Sequence, residues 1–176
     1  MNNQSKIKPM VLAGLGLALC MVLPFLTGQI PQIGSMLSPM HIPVLLCGFL
    51  CGWPWALAVG LIAPSLRFLL FGMPPMFPTG VGMMAELAVY GAATGLLCRW
   101  FPRKAGYIYA SLALAMLLGR LVWGLVRWAL TMFGAGAFTF QAFLAGAFIN
   151  AWPGILCHLL IIPPIVAALR KAKIAD

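Results

Sequence analysis

Long apolar runs, separated by short segments rich in proline, glycine and polar residues, repeat along the whole chain. Each run approaches the ~20 residues that a helix needs to cross a ~30 Å hydrocarbon layer. The pattern predicts six helices, at about 10–26, 40–53, 54–72, 79–98, 106–132 and 141–169. The second is short for a span, so it either begins before Pro39 or lies tilted within the bundle. Pro153, Pro163 and Pro164 could kink or break the sixth, because proline removes a backbone donor.

The composition indicates that these helices lie in lipid rather than in water. Of the 176 residues, 63% are hydrophobic and only 7% are charged, whereas about 25% is ordinary for soluble globular proteins. The sequence therefore predicts an all-α integral membrane protein, with residues 1–176 forming a single transmembrane domain. The first helix follows Lys6 and Lys8 like a signal peptide, but Leu19 stands before Cys20 where cleavage requires a small residue. We expect this helix to remain uncleaved.

The distribution of cations predicts the orientation. Eight of the eleven Lys and Arg residues flank the predicted helices on one side if there are six spans: Lys6, Lys8, Arg99, Arg103, Lys104, Arg170, Lys171 and Lys173. The positive-inside rule then places both termini in the cytoplasm. Topology therefore accounts for most of the net charge of +9, and no nucleic-acid partner is needed to explain it.

The remaining charges lie inside predicted helices. A charge near the bilayer centre costs at least about 2.5–3.5 kcal/mol, so such residues normally face a partner or a cavity. Glu86 is notable because the only other acidic residue is the terminal Asp176. Counting along the helices places six polar side chains in the outer half of the bundle: His41, Arg67, Glu86, Arg120, Arg127 and Asn150.

Two interpretations of these polar residues remain open. Glu86 could form a structural bridge with one arginine, and arginines near helix ends could extend to the interface. Alternatively, three arginines against one glutamate leave a positive surplus that favours a carboxylate-bearing ligand, which an arginine fork binds bidentately. Tyr90 and Trp123 flank the same region and could contact that ligand, although both residue types are common at membrane interfaces.

Other chemistry has little support in the sequence. Cys47 and Cys51 lie one helical turn apart and could share a ligand, but no further metal ligands accompany them, so we interpret them as packing residues. The chain lacks H-E-x-x-H, G-x-S-x-G and the phosphate-binding G-x-x-x-x-G-K-[ST] motif. We therefore expect no enzyme activity, no metal and no bound cofactor. Any use of ATP would belong to partner subunits.

Small residues recur four apart at three places: Gly48/Gly52, Gly91/Gly95 and Gly14/Ala18. Such spacing lets membrane helices approach closely. It predicts either packing within one bundle or a groove for a partner helix, and the spacing alone does not separate these alternatives.

Three blocks of the sequence, "SPMHIPVLLCGFLCG", "GMPPMFPTG" and "AELAVYGAATGLL", resemble the substrate-binding S components of energy-coupling factor (ECF) vitamin transporters. The resemblance is closest to the branch that includes pantothenate and folate carriers. It implies a six-helix protein of a bacterial cell membrane that binds a micronutrient in an outer-facing pocket without reacting with it. It also implies docking on a transmembrane coupling protein and two ATPases.

The resemblance extends to particular residues. The docking motif of helix 1 would correspond to Gly14 and Ala18. The pocket would include Glu86, Arg120, Arg127 and Asn150, with His41 at its edge and Arg67 as a further member. The identity of the vitamin stays open. A carrier or channel that works without ATPases is the main alternative, and an intramembrane enzyme is a weaker one.

Overall fold

The computed structural model describes residues 4–27, 34, 36–102 and 104–172, and the secondary structure within these ranges is entirely helical. The elements before the central loop are α1 (Gln4–Val22), a 3₁₀ turn (Leu23–Thr27), α2 (His41–Cys51) and α3 (Trp53–Phe71). A π-type turn (Met76–Gly80) then leads into α4 (Val81–Trp100), which is followed by α5 (Ala105–Leu130) and a 3₁₀ turn (Thr131–Phe133). The chain ends with the short α6 (Phe140–Leu144), a π-type turn (Ala145–Ile149) and α7 (Trp152–Lys171).

Five helical segments are long and apolar enough to cross a membrane: Ile7–Leu26, Trp53–Phe71, Met76–Trp100, Ala105–Phe133 and Phe140–Lys171. The protein is therefore a multi-pass membrane protein. The apolar helix α2 has only 11 residues, which rise about 16 Å at 1.5 Å per residue. It is too short to cross a ~30 Å layer by itself.

The helix bounds differ from the sequence prediction mainly at the two ends of the chain. The first helix begins at Gln4 rather than near residue 10. The predicted sixth helix is divided into α6, the turn at 145–149 and α7. Pro153 lies in the first turn of α7, where its missing N–H breaks no helical hydrogen bond. Arg103, Lys173 and Asp176 lie outside the described residues.

α4 lies at the centre of the bundle and packs against α2, α3 and α5. Glycine makes these approaches close. A Cβ atom added at Gly91 of α4 would meet the backbone of Ala56 in α3, and one added at Gly60 of α3 would meet the backbone of Leu87 in α4. Gly48 of α2 lies against Thr94 in the same way. The glycine pairs of α2 and α4 are therefore used for packing inside the bundle.

The small residues of α1 have a different environment. Gly14 and Ala18 are both exposed, and a Cβ atom at Gly14 would meet nothing within 4 Å. Val11 and Leu15, on the same side of α1, are also exposed. This face of α1 is uncovered within the described part of the protein.

We expect Gly60→Ala to lower stability by about 1–3 kcal/mol, because the new methyl group must push the α4 backbone away from α3. Thermal unfolding of the purified protein in detergent measures the effect. Gly106→Ala is the matched control, since a Cβ atom at that helical position meets nothing within 4 Å. Equal melting temperatures for the two variants would contradict the close α3–α4 contact.

Candidate functional site

Four helices bring buried polar side chains together inside the bundle. This polar cluster consists of His41 from α2, Glu86 and Tyr90 from α4, Arg120 from α5 and His158 from α7. All five residues are at least nine-tenths buried. Groups of this kind are costly to bury unless they are paired or hydrogen-bonded, so the contacts among them determine what the burial costs.

Glu86 is the centre of the cluster. Its Oε1 atom lies 3.1 Å from Nη1 of Arg120, and its Oε2 atom lies 3.6 Å from Nε2 of His41. The second distance is longer than an N–H···O hydrogen bond. The contact with Arg120 is an ion pair that neutralises charge, but it does not have the alignment of a hydrogen bond. Among the described residues, no hydrogen-bond partner is present for Oε1 of Glu86, Nε of Arg120 or either ring nitrogen of His41. The cluster is charge-balanced and keeps unused polar atoms.

Aromatic contacts fix the side chains around Glu86. The Tyr90 ring packs edge-on against the imidazole of His41 at 5.3 Å between centroids, and the Tyr90 hydroxyl interacts electrostatically with both Glu86 and Arg120. The ring of His158 stacks on His41 at 6.0 Å. A Cβ atom at Gly119 would overlap the Tyr90 ring, so glycine at this position allows the ring to lie against α5.

His158 is itself held in place by the backbone. Its Nε2 atom lies 3.4 Å from the main-chain carbonyl of Ser38, just before α2. The two histidines are therefore anchored differently, since neither ring nitrogen of His41 has a hydrogen-bond partner among the described residues. Both ring nitrogens of His41 are therefore available for hydrogen bonds to a further group.

A second group lies one helical turn further along α4, towards its N-terminus. We call it the Arg127 group, and it consists of Trp123, Arg127, Phe138 and Phe143. The guanidinium carbon of Arg127 lies 5.5 Å from the Phe138 ring centroid, and Trp123 packs between Phe138 and Phe143. A Cβ atom at Gly82 of α4 would lie 3.2–3.3 Å from Trp123 and Arg127 side-chain atoms, so both lie directly on α4.

Arg127 has buried donors without acceptors. Its Nε and Nη1 atoms have no hydrogen-bond partner among the described residues, and the face of an aromatic ring compensates only part of a positive charge. Arg127 and Arg120 lie seven residues apart on α5, about 10 Å along the axis. The two groups therefore occupy successive levels of the same α4–α5 seam.

Arg67 has partners of its own. It is 4% exposed, and its Nη1 atom donates a 2.7 Å hydrogen bond to the carbonyl of Met21. Its guanidinium also lies over the rings of Phe25 and Phe71, at 5.3 and 5.2 Å from their centroids. These contacts connect the end of α1 to the end of α3, and no described contact joins Arg67 to Glu86.

The structure brings together most of the predicted site residues. His41, Glu86, Tyr90 and Arg120 form one cluster, and Trp123 and Arg127 lie beside it. Asn150 is exposed because the chain leaves the helix before α7 begins. Their binding roles stay predictions.

His158, Phe138 and Phe143 are not among the site residues that the sequence predicted. Pro153 could have indicated the position of His158. Proline favours the first turn of a helix, and a new helix beginning there changes the depth in the membrane of every residue that follows. Phe138 and Phe143 carried no comparable signal in a chain rich in phenylalanine.

The described residues contain no group of three or more His, Cys, Asp or Glu side chains that could hold a metal ion. Cys47 and Cys51 are free and buried beside α1, where a Cβ atom at Gly16 would overlap the Cys47 sulfur. These contacts are those of packing residues.

We expect Arg67→Met to lower the melting temperature while leaving ligand affinity within about twofold, because its contacts hold α1 to α3 rather than line the cluster. Thermal unfolding and isothermal titration of the same preparation separate the two effects. Arg120→Met is the comparison variant, since it removes the partner of Glu86. A large loss of affinity for Arg67→Met would return this residue to the binding site.

A model of the family described as "ECF transporter, substrate-specific component" matches residues 8–166. Searches of curated proteins and of solved structures returned no match. Members of this family are transport subunits rather than enzymes, and they associate with an ECF module of transmembrane and ATPase subunits. The multi-pass helical fold agrees with that assignment. By a match that covers well over half of its length, this chain belongs to the substrate-specific components of ECF transporters.

Proposed function

We propose that this protein captures a small carboxylate-bearing micronutrient, of the pantothenate or folate kind, from outside a bacterial cell for ATP-driven uptake. In this proposal the chain crosses the cytoplasmic membrane six times with both termini inside, and α2 makes the second crossing together with the residues on either side of it. The polar cluster and the Arg127 group then lie in the outer half of the bundle. The distribution of the basic residues supports this orientation.

The observation that carries the proposal is the state of Arg127. Arg120 is paired with Glu86, and Arg67 is satisfied by a carbonyl and two rings. Arg127 keeps two buried nitrogen atoms without acceptors. A carboxylate is the ligand group that supplies both the charge and the paired acceptors that an arginine fork requires.

The polar cluster would recognise the rest of the ligand. Oε1 of Glu86 and the ring nitrogens of His41 have unused hydrogen-bonding capacity, which suits a hydroxyl or amide group about one helical turn from the carboxylate. Tyr90 and Trp123 would form apolar walls on either side. Glu86 would thus hold Arg120 in position and also accept a hydrogen bond from the ligand.

The exposed face of α1 supports the transport role. Gly14 and Ala18 leave a smooth surface, and small residues allow a partner helix to approach closely. We assign this face to the transmembrane coupling subunit of the ECF module, whose ATPases would supply the energy. Uptake that persists without the ATPase subunits would instead indicate a self-sufficient carrier.

A thermal-shift screen of the detergent-solubilised protein tests the ligand class. The panel contains pantothenate, folate, other carboxylate vitamins, and uncharged and cationic control compounds. A ligand at about 100 times its Kd stabilises the folded protein by about 2.7 kcal/mol, so we expect a clear rise in melting temperature for one carboxylate. A rise with cationic compounds alone would contradict the assignment of Arg127.

Arg127→Ala should weaken binding of the carboxylate ligand by about 10- to 100-fold, because a charge-assisted hydrogen bond contributes about 1.5–3 kcal/mol. Binding of the corresponding amide should change much less. Titration calorimetry of both ligands with both proteins gives the ratio. Equal losses for the acid and the amide would show that Arg127 contributes packing rather than charge recognition.

Glu86→Gln should weaken ligand binding while the protein still inserts and folds, since the amide preserves the shape of the side chain and the neighbouring arginine stays close to polar atoms. Size-exclusion chromatography reports folding, and calorimetry reports affinity. The alternative is that Glu86→Gln aggregates and that the double variant, Glu86→Gln with Arg120→Gln, folds again. That result would show that the pair is a structural bridge.

A further inference from the structure

A small cleft opens at the end of the bundle opposite the polar cluster. It lies where α2, α4 and α7 end and α5 begins, and its lining includes Phe49, Cys98, Phe101, Tyr107, Ser111 and Arg170. In each of these helices, the residue that lines the cleft is separated from the residue of the polar cluster by two turns or more. The cleft is therefore a separate feature of the protein.

Arg170 is the charged side chain of this cleft. Its Nη2 atom donates to the Sγ atom of Cys98 at 3.2 Å, and a thiol sulfur is a weak acceptor. Its Nε atom is buried and has no hydrogen-bond partner among the described residues. The Arg170 guanidinium therefore carries a positive charge that no described carboxylate balances.

The surroundings of the cleft indicate where that anion comes from. Arg99, Lys104 and Lys171 are exposed at the same end of the bundle, so the local field is positive. Trp100 is 72% exposed and Tyr107 is 39% exposed, and such aromatic residues mark the boundary between hydrocarbon and headgroups. The cleft thus opens at the level where lipid phosphates lie.

The cleft itself has room for about one water molecule, so a phosphate would sit at its mouth. We propose that the mouth of this cleft binds the phosphate of an anionic phospholipid headgroup, with the Arg170 guanidinium as its principal ligand. Basic pockets between transmembrane helices at the cytoplasmic surface recognise such headgroups through charge and hydrogen bonds to the phosphate. Arg170 supplies directed donors to the phosphate, whereas the exposed cations around the cleft add only diffuse, undirected attraction. The Ser111 side chain lies at the buried end of the cleft.

The test compares lipid binding to the full-length protein in detergent by native mass spectrometry. Phosphatidylglycerol and phosphatidylcholine are titrated separately into wild type, Arg170→Gln and Arg99→Gln. Arg99 is the matched control because it is exposed at the same end and does not line the cleft. We expect wild type to bind phosphatidylglycerol about tenfold more tightly, Arg170→Gln to lose most of that preference, and Arg99→Gln to keep it.

Several outcomes would overturn the proposal. Equal binding of the two lipids by wild type would do so without any variant, as would equal losses in Arg170→Gln and Arg99→Gln, which would indicate diffuse attraction. Displacement of phosphatidylglycerol by millimolar inorganic phosphate would identify a site for free phosphate. A preference that appears only when the ECF module is bound would place the lipid site at the interface with that module rather than in this cleft. If Arg170→Gln does not fold, Arg170→Lys replaces it, and an unchanged preference in that variant would exclude directed donation by the guanidinium.

Discussion

The contact between Glu86 and Arg120 is the constraint on which the arrangement of the bundle depends. A carboxylate inside a membrane-spanning helix requires compensation, because breaking a buried pair by removing one partner typically costs about 3–5 kcal/mol. The compensating residues come from different helices, with Arg120 on α5 and His41 on α2. His158 of α7 joins them through its stacking on His41. A single charge on α4 thereby fixes the relative positions of four helices.

The helices can reach that charge only because glycine removes the side chains between them. Lipid provides no hydrophobic driving force for helix association, so close van der Waals packing has to supply much of the attraction. Gly60 and Gly91 bring α3 onto α4, and Gly119 allows the Tyr90 ring to lie on α5. A larger side chain at Gly119 would displace Tyr90 from the cluster. The same glycines therefore allow both the close packing of the helices and the assembly of the polar cluster.

The sequence was most informative where a polar residue was rare. The sequence predicted that Glu86 lies at the depth of the buried arginines and could pair with one of them, but it did not show which one. The structure pairs it with Arg120. Depth did not identify the partners of Arg67, because a main-chain carbonyl and two phenylalanine rings satisfy it. Such groups are available everywhere in an apolar bundle and leave no pattern in the sequence.

Depth counting also depends on helix continuity. Asn150 was placed with the cluster by assuming one helix over residues 141–169, and the break before α7 leaves it exposed. The same break aligns His158 with His41. Proline predicted that a break was possible, but the sequence did not determine how far the chain would shift across it. Local signals located the discontinuity, and only tertiary packing fixed its geometry.

The three arginines inside the bundle carry the same charge but have different partners. Arg120 is balanced by Glu86, and Arg67 is held by a carbonyl and two rings where α1 meets α3. The positive surplus near the site therefore falls from two charges to one. That remaining charge is on Arg127. Under the proposed function, one surplus charge matches a ligand with a single carboxylate. A dicarboxylate would bring a second negative charge into a low-dielectric region, where an unpaired charge is costly. We therefore expect a monocarboxylate such as pantothenate to suit this site better than a dicarboxylate such as folate.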